Sequence, residues 1–237
     1  MEVYSQKIFR QILSDNGVIA TDDIFVYKSG FIGTAYINKE ALAPLGADVV
    51  NNCLCGMTQN ALDNGLHFRS DTKVVLIIGP AYGAISYPPI VAFYLRALFP
   101  QIKFITARTE LNSNGKHFIP EKLNPLFTMA DEYIIVEDIV NKGTTITEVC
   151  ALLPDAVNCV ICLADRGNNS AEKLTIYNFY PFISVNMEQF DPRVDSSLLK
   201  SGKIINTVLG KGKMWVEEFG QPPYSDEVDF SSFKLFK

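Results

Sequence analysis

The sequence has no excess of basic residues, because 21 lysines and arginines stand against 26 aspartates and glutamates, a formal net charge of -5 at pH 7. Nucleic acids and membrane surfaces are bound through basic faces, so this balance argues against both as general partners. The chain also lacks an apolar run of transmembrane length, and residues 1–17 lack the apolar core of a signal peptide. We therefore expect a cytoplasmic protein that holds any anionic ligand by local features.

Cysteine is scarce, and its spacing does not favour a metal site. The five cysteines are an odd number in apolar settings, in a chain large enough to fold without disulfides. Cys159 and Cys162 have C-x-x-C spacing, but positions three apart in a buried strand point to opposite faces. Cys53 and Cys55 lie in a predicted helix, where a spacing of two also separates the side chains. We expect no metal bound by cysteine.

Two common phosphate-binding motifs are absent. No G-x-x-x-x-G-K-[ST] sequence occurs, which excludes a P-loop, and Gly210 and Gly212 lack the third glycine of a dinucleotide fingerprint. The apolar content, 48% of 237 residues, is enough for one substantial core. We expect one main domain over residues 1–190, and a C-terminal extension over residues 191–237 to which the sequence assigns no role.

Apolar, β-branched runs alternate with helical patterns along most of the chain. They predict strands at residues 73–78, 102–106, 133–136, 157–163 and 182–185, and helices at 48–62, 84–99 and 145–153. The alternation predicts an α/β fold with a mostly parallel sheet flanked by helices. Residues 108–125 are polar and unpatterned, and a loop of that length in a compact domain is typically a lid or a binding loop.

The N-terminal part precedes this alternation. It predicts an amphipathic helix that ends at Asn16-Gly17, with an apolar side formed by Val3, Ile8, Ile12 and Leu13. Residues 24–27 and 35–38 are short strand candidates on either side of Lys28-Ser29-Gly30. This arrangement predicts a hairpin-like flap, which we expect to form an N-terminal hood.

Residues 133–148, YIIVEDIVNKGTTITE, are the most informative segment. The apolar strand 134–136 brings Glu137 and Asp138 to its carboxyl end, the edge where ligands of open α/β sheets bind. A polar loop follows, whose glycine and short hydroxyl side chains leave its backbone N–H groups free to surround a phosphate. The loop consists of Asn141, Lys142, Gly143, Thr144 and Thr145.

A carboxylate pair that faces ribose hydroxyls or Mg²⁺, beside a phosphate loop, predicts a ribose-5-phosphate site. The alternative is an ordinary turn and helix N-cap, which are common after buried strands. A second loop, GPAYGAI at residues 79–85, also follows a buried strand, and its glycines allow main-chain N–H groups to approach a pyrophosphate. Its alternative is a plain strand-to-helix turn. We expect both loops at one edge of the sheet.

The sequence resembles the type I phosphoribosyltransferases, and within them the orotate phosphoribosyltransferases. The resemblance covers about residues 1–190 and rests on Lys28-Ser29-Gly30, GPAYGAI, VEDIVNKGT and Asp165-Arg166. It implies that Mg²⁺-bound phosphoribosyl pyrophosphate supplies ribose 5-phosphate to a pyrimidine base, orotate, with release of pyrophosphate. It also implies a homodimer, in which a lid loop reaches into the neighbouring site.

The resemblance further implies a role for each candidate residue. Glu137 and Asp138 would hold the ribose hydroxyls, and the 141–145 loop would hold the 5′-phosphate. Ala81 and Tyr82 would hold pyrophosphate through the backbone. Mg²⁺ would be held mainly by the substrate, with no direct protein ligand assigned. Lys28 and Arg166 would lie near the base, with Arg166 gripping the orotate carboxylate, while Arg108 would assist the leaving group from the lid.

Several positions depart from the family pattern. Gly83 stands where a lysine is usual, Thr109 follows Arg108 where the lid has a lysine, and Asn141 replaces a threonine. Residues 34–37 replace a more aromatic base-stacking segment. Lys116 and His117 either fill the vacated role or are simply exposed loop polarity. Two alternatives therefore stand beside orotate transfer: transfer to another nucleobase, and a regulatory or binding module that retains the nucleotide site without catalysis.

Overall fold

The computed structural model describes residues 3–155, 157–167, 174, 178–185, 187–224 and 228–236. The chain forms two compact units. The sheet unit comprises Met1–Arg10 and Ala47–Val185, and the terminal unit comprises Gln11–Gly46 and Asn186–Lys237. Residues 11–46 therefore group with the C-terminal segment, whereas the sequence-based division grouped residues 1–190 together. No helix in the described ranges is long and apolar enough to cross a membrane.

The described elements are numbered in chain order. The α-helices are α1 (Gln6–Asp15), α2 (Ala47–Asp63), α3 (Tyr87–Leu98), α4 (Asn124–Met129), α5 (Thr144–Cys150) and α6 (Gly212–Phe219). The strands are β1 (Ile19–Ala20), β2 (Phe25–Val26), β3 (Ile32–Gly33), β4 (Tyr36–Ile37), β5 (Val74–Gly79), β6 (Lys103–Arg108), β7 (Glu110–Leu111), β8 (His117–Phe118), β9 (Glu132–Val140), β10 (Val157–Asp165) and β11 (Asn178–Ser184). Short 3₁₀ helices span Lys39–Leu45, Glu121–Leu123, Ser197–Lys200, Phe230–Ser232 and Lys234–Phe236.

The sheet unit is built on five strands in the order β11-β10-β9-β5-β6, and every neighbouring pair is parallel. The prediction of a mostly parallel sheet flanked by helices is confirmed. Alternate residues of the strands face a cluster that includes Phe127 of α4 and Ile146 and Val149 of α5. Helices α2 and α3 pack against the sheet as well. Burial of both faces explains why the strands read as continuous apolar runs.

The strands extend further than their apolar runs. Strand β9 continues to Val140, because its backbone pairing with β10 persists through Glu137↔Cys162 and Ile139↔Ala164. Glu137 and Asp138 therefore belong to the strand itself rather than to the loop after it. Likewise β11 begins at Asn178 instead of residue 182, and α3 begins at Tyr87 instead of residue 84. Backbone pairing is insensitive to side-chain polarity, so apolar patterns underestimate strand length.

The predicted apolar side of α1 is wrong at two positions. Val3 and Ile8 are exposed, whereas Phe9 and Leu13 are buried. Phe9 stacks on Phe182 of β11 with ring centroids 4.9 Å apart, so the tertiary partner selects a different helix face. The predicted end of the helix is confirmed, since the Asn16 N–H donates to the Ile12 carbonyl and Gly17 has φ +66°.

The predicted hairpin is also paired differently. Strand β2 pairs with β3, and the turn between them contains Lys28, Ser29 and Gly30. The expected partner segment, 35–38, contains β4 and pairs instead with β1. The predicted turn is therefore correct and the predicted pairing is wrong. Only two residue pairs hold each ribbon together, and such short strands have no pattern that specifies a partner.

Residues 108–125 are not an unpatterned loop, contrary to the prediction. They contain an antiparallel hairpin in which Glu110 pairs with Phe118 and Leu111 with His117, followed by a 3₁₀ turn and the start of α4. The side chain of Asn112 closes the turn by accepting the N–H groups of Asn114 and Lys116. Side-chain hydrogen bonds of this kind replace the apolar alternation that a sequence pattern detects.

Candidate active site

The site lies at the carboxyl end of β9, the central strand of the sheet. Parallel pairing sets Ile78 of β5 beside Ile135 and Asp165 of β10 beside Val140. The loop after β5 and the Asp165-Arg166 segment therefore both lie next to the end of β9. The expectation that the two predicted loops share one edge of the sheet is confirmed.

A cavity of about 270 Å³ opens at this edge. It is smaller than the about 300–1,000 Å³ typical of drug-sized ligand sites, a size that suits a phosphate with part of a sugar. The acidic residue Glu137 and the whole predicted phosphate loop meet in it. Its lining is formed by Glu137, Ile139, Val140, Asn141, Lys142, Gly143, Thr144, Thr145 and Ile146.

The 141–145 loop contains a left-handed turn at its glycine. Gly143 adopts a left-handed conformation, φ +72° and ψ +6°, immediately before α5. Thr147 donates to the Gly143 carbonyl through both its N–H, at 3.0 Å, and its hydroxyl, at 3.1 Å. The first N–H groups of a helix have no acceptor within the helix, and no side chain caps this one. They are available to a ligand in the cavity.

The two acids of β9 are almost completely buried. Glu137 is 7% and Asp138 is 6% exposed. The Asp138 N–H donates to Glu137 Oε1 at 3.0 Å, and the Ile139 N–H donates to Asp138 Oδ1 at 2.7 Å. Hydrogen bonds from backbone N–H groups stabilise the charged form of a carboxylate and fix its direction. The pair is therefore held by the strand that carries it.

Tyr87, at the start of α3, is a residue that the sequence analysis missed. Burial, together with the negative charges of Asp138 and Glu137, raises the pKa of its phenol. The hydroxyl is thus protonated at neutral pH, and the charges of the acid pair act on it. Tyr87 lies just beyond the GPAYGAI segment, and no local pattern distinguishes it from an ordinary apolar helix residue.

The Ala81–Tyr82 segment forms the turn after β5, and the peptide bond between the two residues is cis. Tyr82 is 74% exposed. The Ala81 N–H donates to the hydroxyl of Thr109, with 3.4 Å between the nitrogen and Oγ1. Ala81 is therefore bonded within the protein, although the resemblance implies that it binds pyrophosphate through its backbone.

The three lid residues have different surroundings, and none of them lines the cavity. Arg108 forms a surface ion pair with Glu110, 3.0 Å from Nη2 to Oε1. Lys116 is exposed at the turn of the hairpin. His117 is half-buried, and its Nδ1 lies 2.8 Å from Thr109 Oγ1. Lys116 is thus a polar residue of an exposed loop, whereas His117 is half-buried and contacts Thr109.

Burial lowers the pKa of His117, while the charge of Glu148 on α5 acts in the opposite direction. Since burial is the larger effect, the imidazole is biased towards its neutral form. Neutral imidazole offers one ring nitrogen as an acceptor, as the contact with Thr109 requires if the hydroxyl donates.

Two further candidates lie outside the cavity lining. Arg166 follows β10, and its backbone N–H donates to the Val140 carbonyl at 2.9 Å. Its side-chain Nε is buried and has no hydrogen-bond partner among the residues that the structure describes. Lys28 is exposed in the turn between β2 and β3, in the terminal unit.

The carboxylate oxygens at this edge of the sheet are suited to a magnesium ion that arrives bound to phosphate groups. Within the described ranges, no group of three or more histidine, cysteine or acidic side chains has the arrangement of a metal site. Glu137 and Asp138 provide carboxylate oxygens, and Mg²⁺ is typically held by one or two carboxylates plus substrate phosphates. Burial raises the pKa of the Cys159 and Cys162 thiols, which disfavours the thiolate form that a metal needs.

No protein-family model and no curated protein sequence matches the chain. Among solved structures, the chain is similar to the hypoxanthine phosphoribosyltransferase of Trypanosoma cruzi, with 14% identity and a TM-score of 0.38, over 58% of this chain and 78% of that one. It is also similar to the Leishmania tarentolae HGPRT-ase in complex with GMP, with 17% identity and a TM-score of 0.35, over 58% and 75% of the two chains. Likeness at this level carries no conclusion about activity.

Proposed function

We propose that the sheet unit binds phosphoribosyl pyrophosphate and transfers its ribose 5-phosphate to a nucleobase, with release of pyrophosphate. The observation that carries the proposal is the cavity at the end of β9. Its lining combines the buried carboxylate of Glu137 with the left-handed Gly143 turn and the start of α5. A phosphate group and a polyhydroxylated sugar are the ligand parts that such a combination accommodates.

In this proposal the 5′-phosphate accepts hydrogen bonds from the N–H groups of the 141–145 loop. Glu137 and Asp138 accept hydrogen bonds from the ribose hydroxyls. Cleavage of the bond to pyrophosphate leaves positive charge on the sugar, and the two nearby carboxylates stabilise that charge. The reaction needs positioning and charge stabilisation more than a nucleophilic side chain, and the described edge offers both.

Magnesium completes the proposed site. The residues that would approach it are Glu137 and Asp138, the two adjacent carboxylates of β9. When bound, the ion would neutralise charge on the leaving pyrophosphate. The backbone hydrogen bonds to the two carboxylates keep them oriented whether or not a ligand is present.

The acceptor is proposed as a base that carries a carboxylate or carbonyl oxygen. The buried Nε of Arg166 has no acceptor within the described residues, and an unsatisfied buried donor costs about 1–3 kcal/mol. Orotate is the acceptor that the family resemblance implies. Another nucleobase is the second acceptor class, and hypoxanthine joins the test as the base named for the similar Trypanosoma cruzi structure.

Pyrophosphate release, measured with phosphoribosyl pyrophosphate, Mg²⁺ and each base in turn, tests the proposal. We expect one base to support turnover, and the double variant Glu137→Gln/Asp138→Asn to lose roughly a hundredfold or more of the rate, since each charge-assisted contact contributes about 1.5–3 kcal/mol. Asp71→Asn is the matched control, because that carboxylate is 83% exposed. Absence of both turnover with every base and calorimetric binding of the phosphoribosyl donor would refute the proposal.

A binding module without catalysis is the second candidate. It is favoured by the small number of basic side chains at the described site. Lys142 is the one basic side chain among the residues that line the described cavity, while Arg108 is paired with Glu110. Tight binding of phosphoribosyl pyrophosphate without pyrophosphate release from any base would favour this candidate. The homodimer also stays a prediction, which light scattering of the purified chain tests.

A further inference from the structure

Thr109 is a completely buried hydroxyl residue next to the proposed site. It joins β6 to β7, directly after Arg108. Because Gly79 of β5 pairs with Arg108 of β6, Thr109 lies beside the residues that follow Gly79. The family resemblance gives Thr109 no role, since that position departs from the lysine of the family.

The hydroxyl of Thr109 connects two segments that are distant in the chain. Its oxygen accepts the Ala81 N–H at 3.4 Å, and it lies 2.8 Å from Nδ1 of His117 on β8. A hydroxyl has one proton and two lone pairs, so a hydroxyl that accepts from Ala81 can donate its proton to Nδ1. His117 is then neutral, with its own proton on Nε2.

The same contact determines which N–H groups of the turn remain for a ligand. The Ala81 N–H is used by Thr109. The N–H groups of Tyr82 and Gly83 have no protein acceptor within the described ranges. They belong to the next two residues of the chain, so the position of Ala81 constrains where they point. An anion at this turn would therefore meet Tyr82 and Gly83 rather than Ala81.

We infer that Thr109 and His117 are positioning residues for pyrophosphate. Thr109 holds Ala81 so that the N–H groups of Tyr82 and Gly83 face the pyrophosphate group, and His117 fixes the direction of the Thr109 hydroxyl. The 110–118 hairpin is thereby tied to the pyrophosphate-binding turn. The inference rests on the proposed function for the identity of the anion, but the contact itself can be measured in the free protein.

The test compares Thr109→Val, which keeps the shape and removes the hydroxyl, with Thr109→Ser, which keeps the hydroxyl. In the ligand-free protein, nitrogen-15 NMR measures solvent exchange of the Ala81 N–H. Calorimetry measures the affinity for magnesium pyrophosphate. We expect Thr109→Val to accelerate exchange and weaken pyrophosphate binding roughly tenfold each, as the loss of one hydrogen bond allows. Thr109→Ser should remain close to the wild type in both.

His117→Asn and His117→Leu provide a second route that does not alter Thr109. Asn retains an acceptor oxygen near the position of Nδ1, whereas Leu has none. We expect His117→Leu to reproduce the direction of the Thr109→Val effects and His117→Asn to restore most of the wild-type values. His67→Leu is the control, since that histidine is exposed and contacts the Gly65 carbonyl. A KM for phosphoribosyl pyrophosphate that rises with little change in kcat would agree with positioning.

Two results distinguish the inference from the proposed function. Unchanged Ala81 exchange and unchanged pyrophosphate affinity in folded Thr109→Val would overturn the inference. Wild-type protein that binds neither pyrophosphate nor phosphoribosyl pyrophosphate would overturn the proposed function and the anion assignment with it. The exchange rates would then still decide whether Thr109 holds the turn. If Thr109→Val does not fold, the His117 pair decides the question by the same two measurements.

Discussion

At Gly143, the backbone of the cavity takes a conformation that a side chain would disfavour. Its φ of +72° lies in the left-handed region, which costs a residue with Cβ about 1–2 kcal/mol. A Cβ there would also lie 3.1 Å from Cδ2 of Leu174, closer than ordinary packing. The turn that exposes the N–H groups of the 141–145 loop is therefore specified by a glycine.

We predict that Gly143→Ala lowers the free energy of unfolding by about 1–2 kcal/mol and weakens binding of ribose 5-phosphate. The strained turn would relax and move the N–H groups away from the phosphate. Denaturant unfolding and calorimetry measure the two effects. Gly17→Ala is the matched control, with φ +66° and no atom within 4 Å of its added Cβ. It should lose similar stability and keep the affinity, and equal affinity loss in both variants would contradict the prediction.

At the scale of elements, the amino-terminal edge of the sheet is held by carboxylates. Asp131, just before β9, accepts the N–H groups of Lys73 and Val74 at the start of β5, each at 2.8 Å. Glu132, the first residue of β9, accepts the Arg69 N–H at 2.9 Å and also bonds to Thr72. These bonds align β9 with its neighbour β5 at the edge opposite the cavity.

The Asp131 contacts predict a pH dependence. Hydrogen bonds from the backbone of Lys73 and Val74 lower the pKa of Asp131. The folded pKa is therefore below the unfolded value of about 3.9, so the contribution is present above that value. It is lost as the pH falls through the folded pKa.

We expect Asp131→Asn to lower Tm at pH 7 and to differ progressively less from the wild type as the pH falls below about 3.9. Thermal unfolding from pH 7 down to pH 3 measures the difference. Asp71→Asn, on the same surface, should show no such trend because its side chain is 83% exposed. A Tm difference that is constant across the range would exclude the assigned hydrogen bonds as its cause.

At the scale of the whole molecule, the C-terminal segment forms a core with the N-terminal strands. Trp215 is completely buried and packs against Phe233, with ring centroids 4.8 Å apart, in a cluster that also contains Ile24 and Val26. Phe236 lies so close to the turn that a Cβ at Gly30 would be 2.5 Å from its ring. The described residues of the C-terminal segment, 191–224 and 228–236, thus belong to the terminal unit, and Phe236 packs against the Lys28 turn.

This packing predicts that Phe233→Ala destabilises the terminal unit by about 3–5 kcal/mol, the usual cost of removing a buried phenylalanine. Trp215 is the only tryptophan of the chain, so its fluorescence follows the unfolding of this unit. Phe93→Ala is the control, because Phe93 is 63% exposed. An unfolding midpoint that Phe233→Ala leaves unchanged would mean that the C-terminal aromatic residues do not support the unit.

Local pattern predicted the parallel sheet and the edge of the sheet at which the cavity opens. Buried β-branched runs and the helices between them repeat over short stretches of chain, and the acids of β9 and the 141–145 loop follow one such run directly. The apolar run of each strand can be recognised separately, because burial on both faces of the sheet requires apolar residues in every strand. The sequence alone was therefore enough to predict that Glu137 and Gly143 share one site.

The tertiary structure alone decided which distant segments meet. The contact of Thr109 with Ala81 spans 28 residues, the pairing of β2 with β3 replaced the expected partner, and the charges of Asp138 and Glu137 act on Tyr87. None of these three relations leaves a periodicity or a local composition in the sequence from which it could be predicted. They arise because folding brings separate elements to one place, where side chains find hydrogen bonds that neighbours in the chain do not offer.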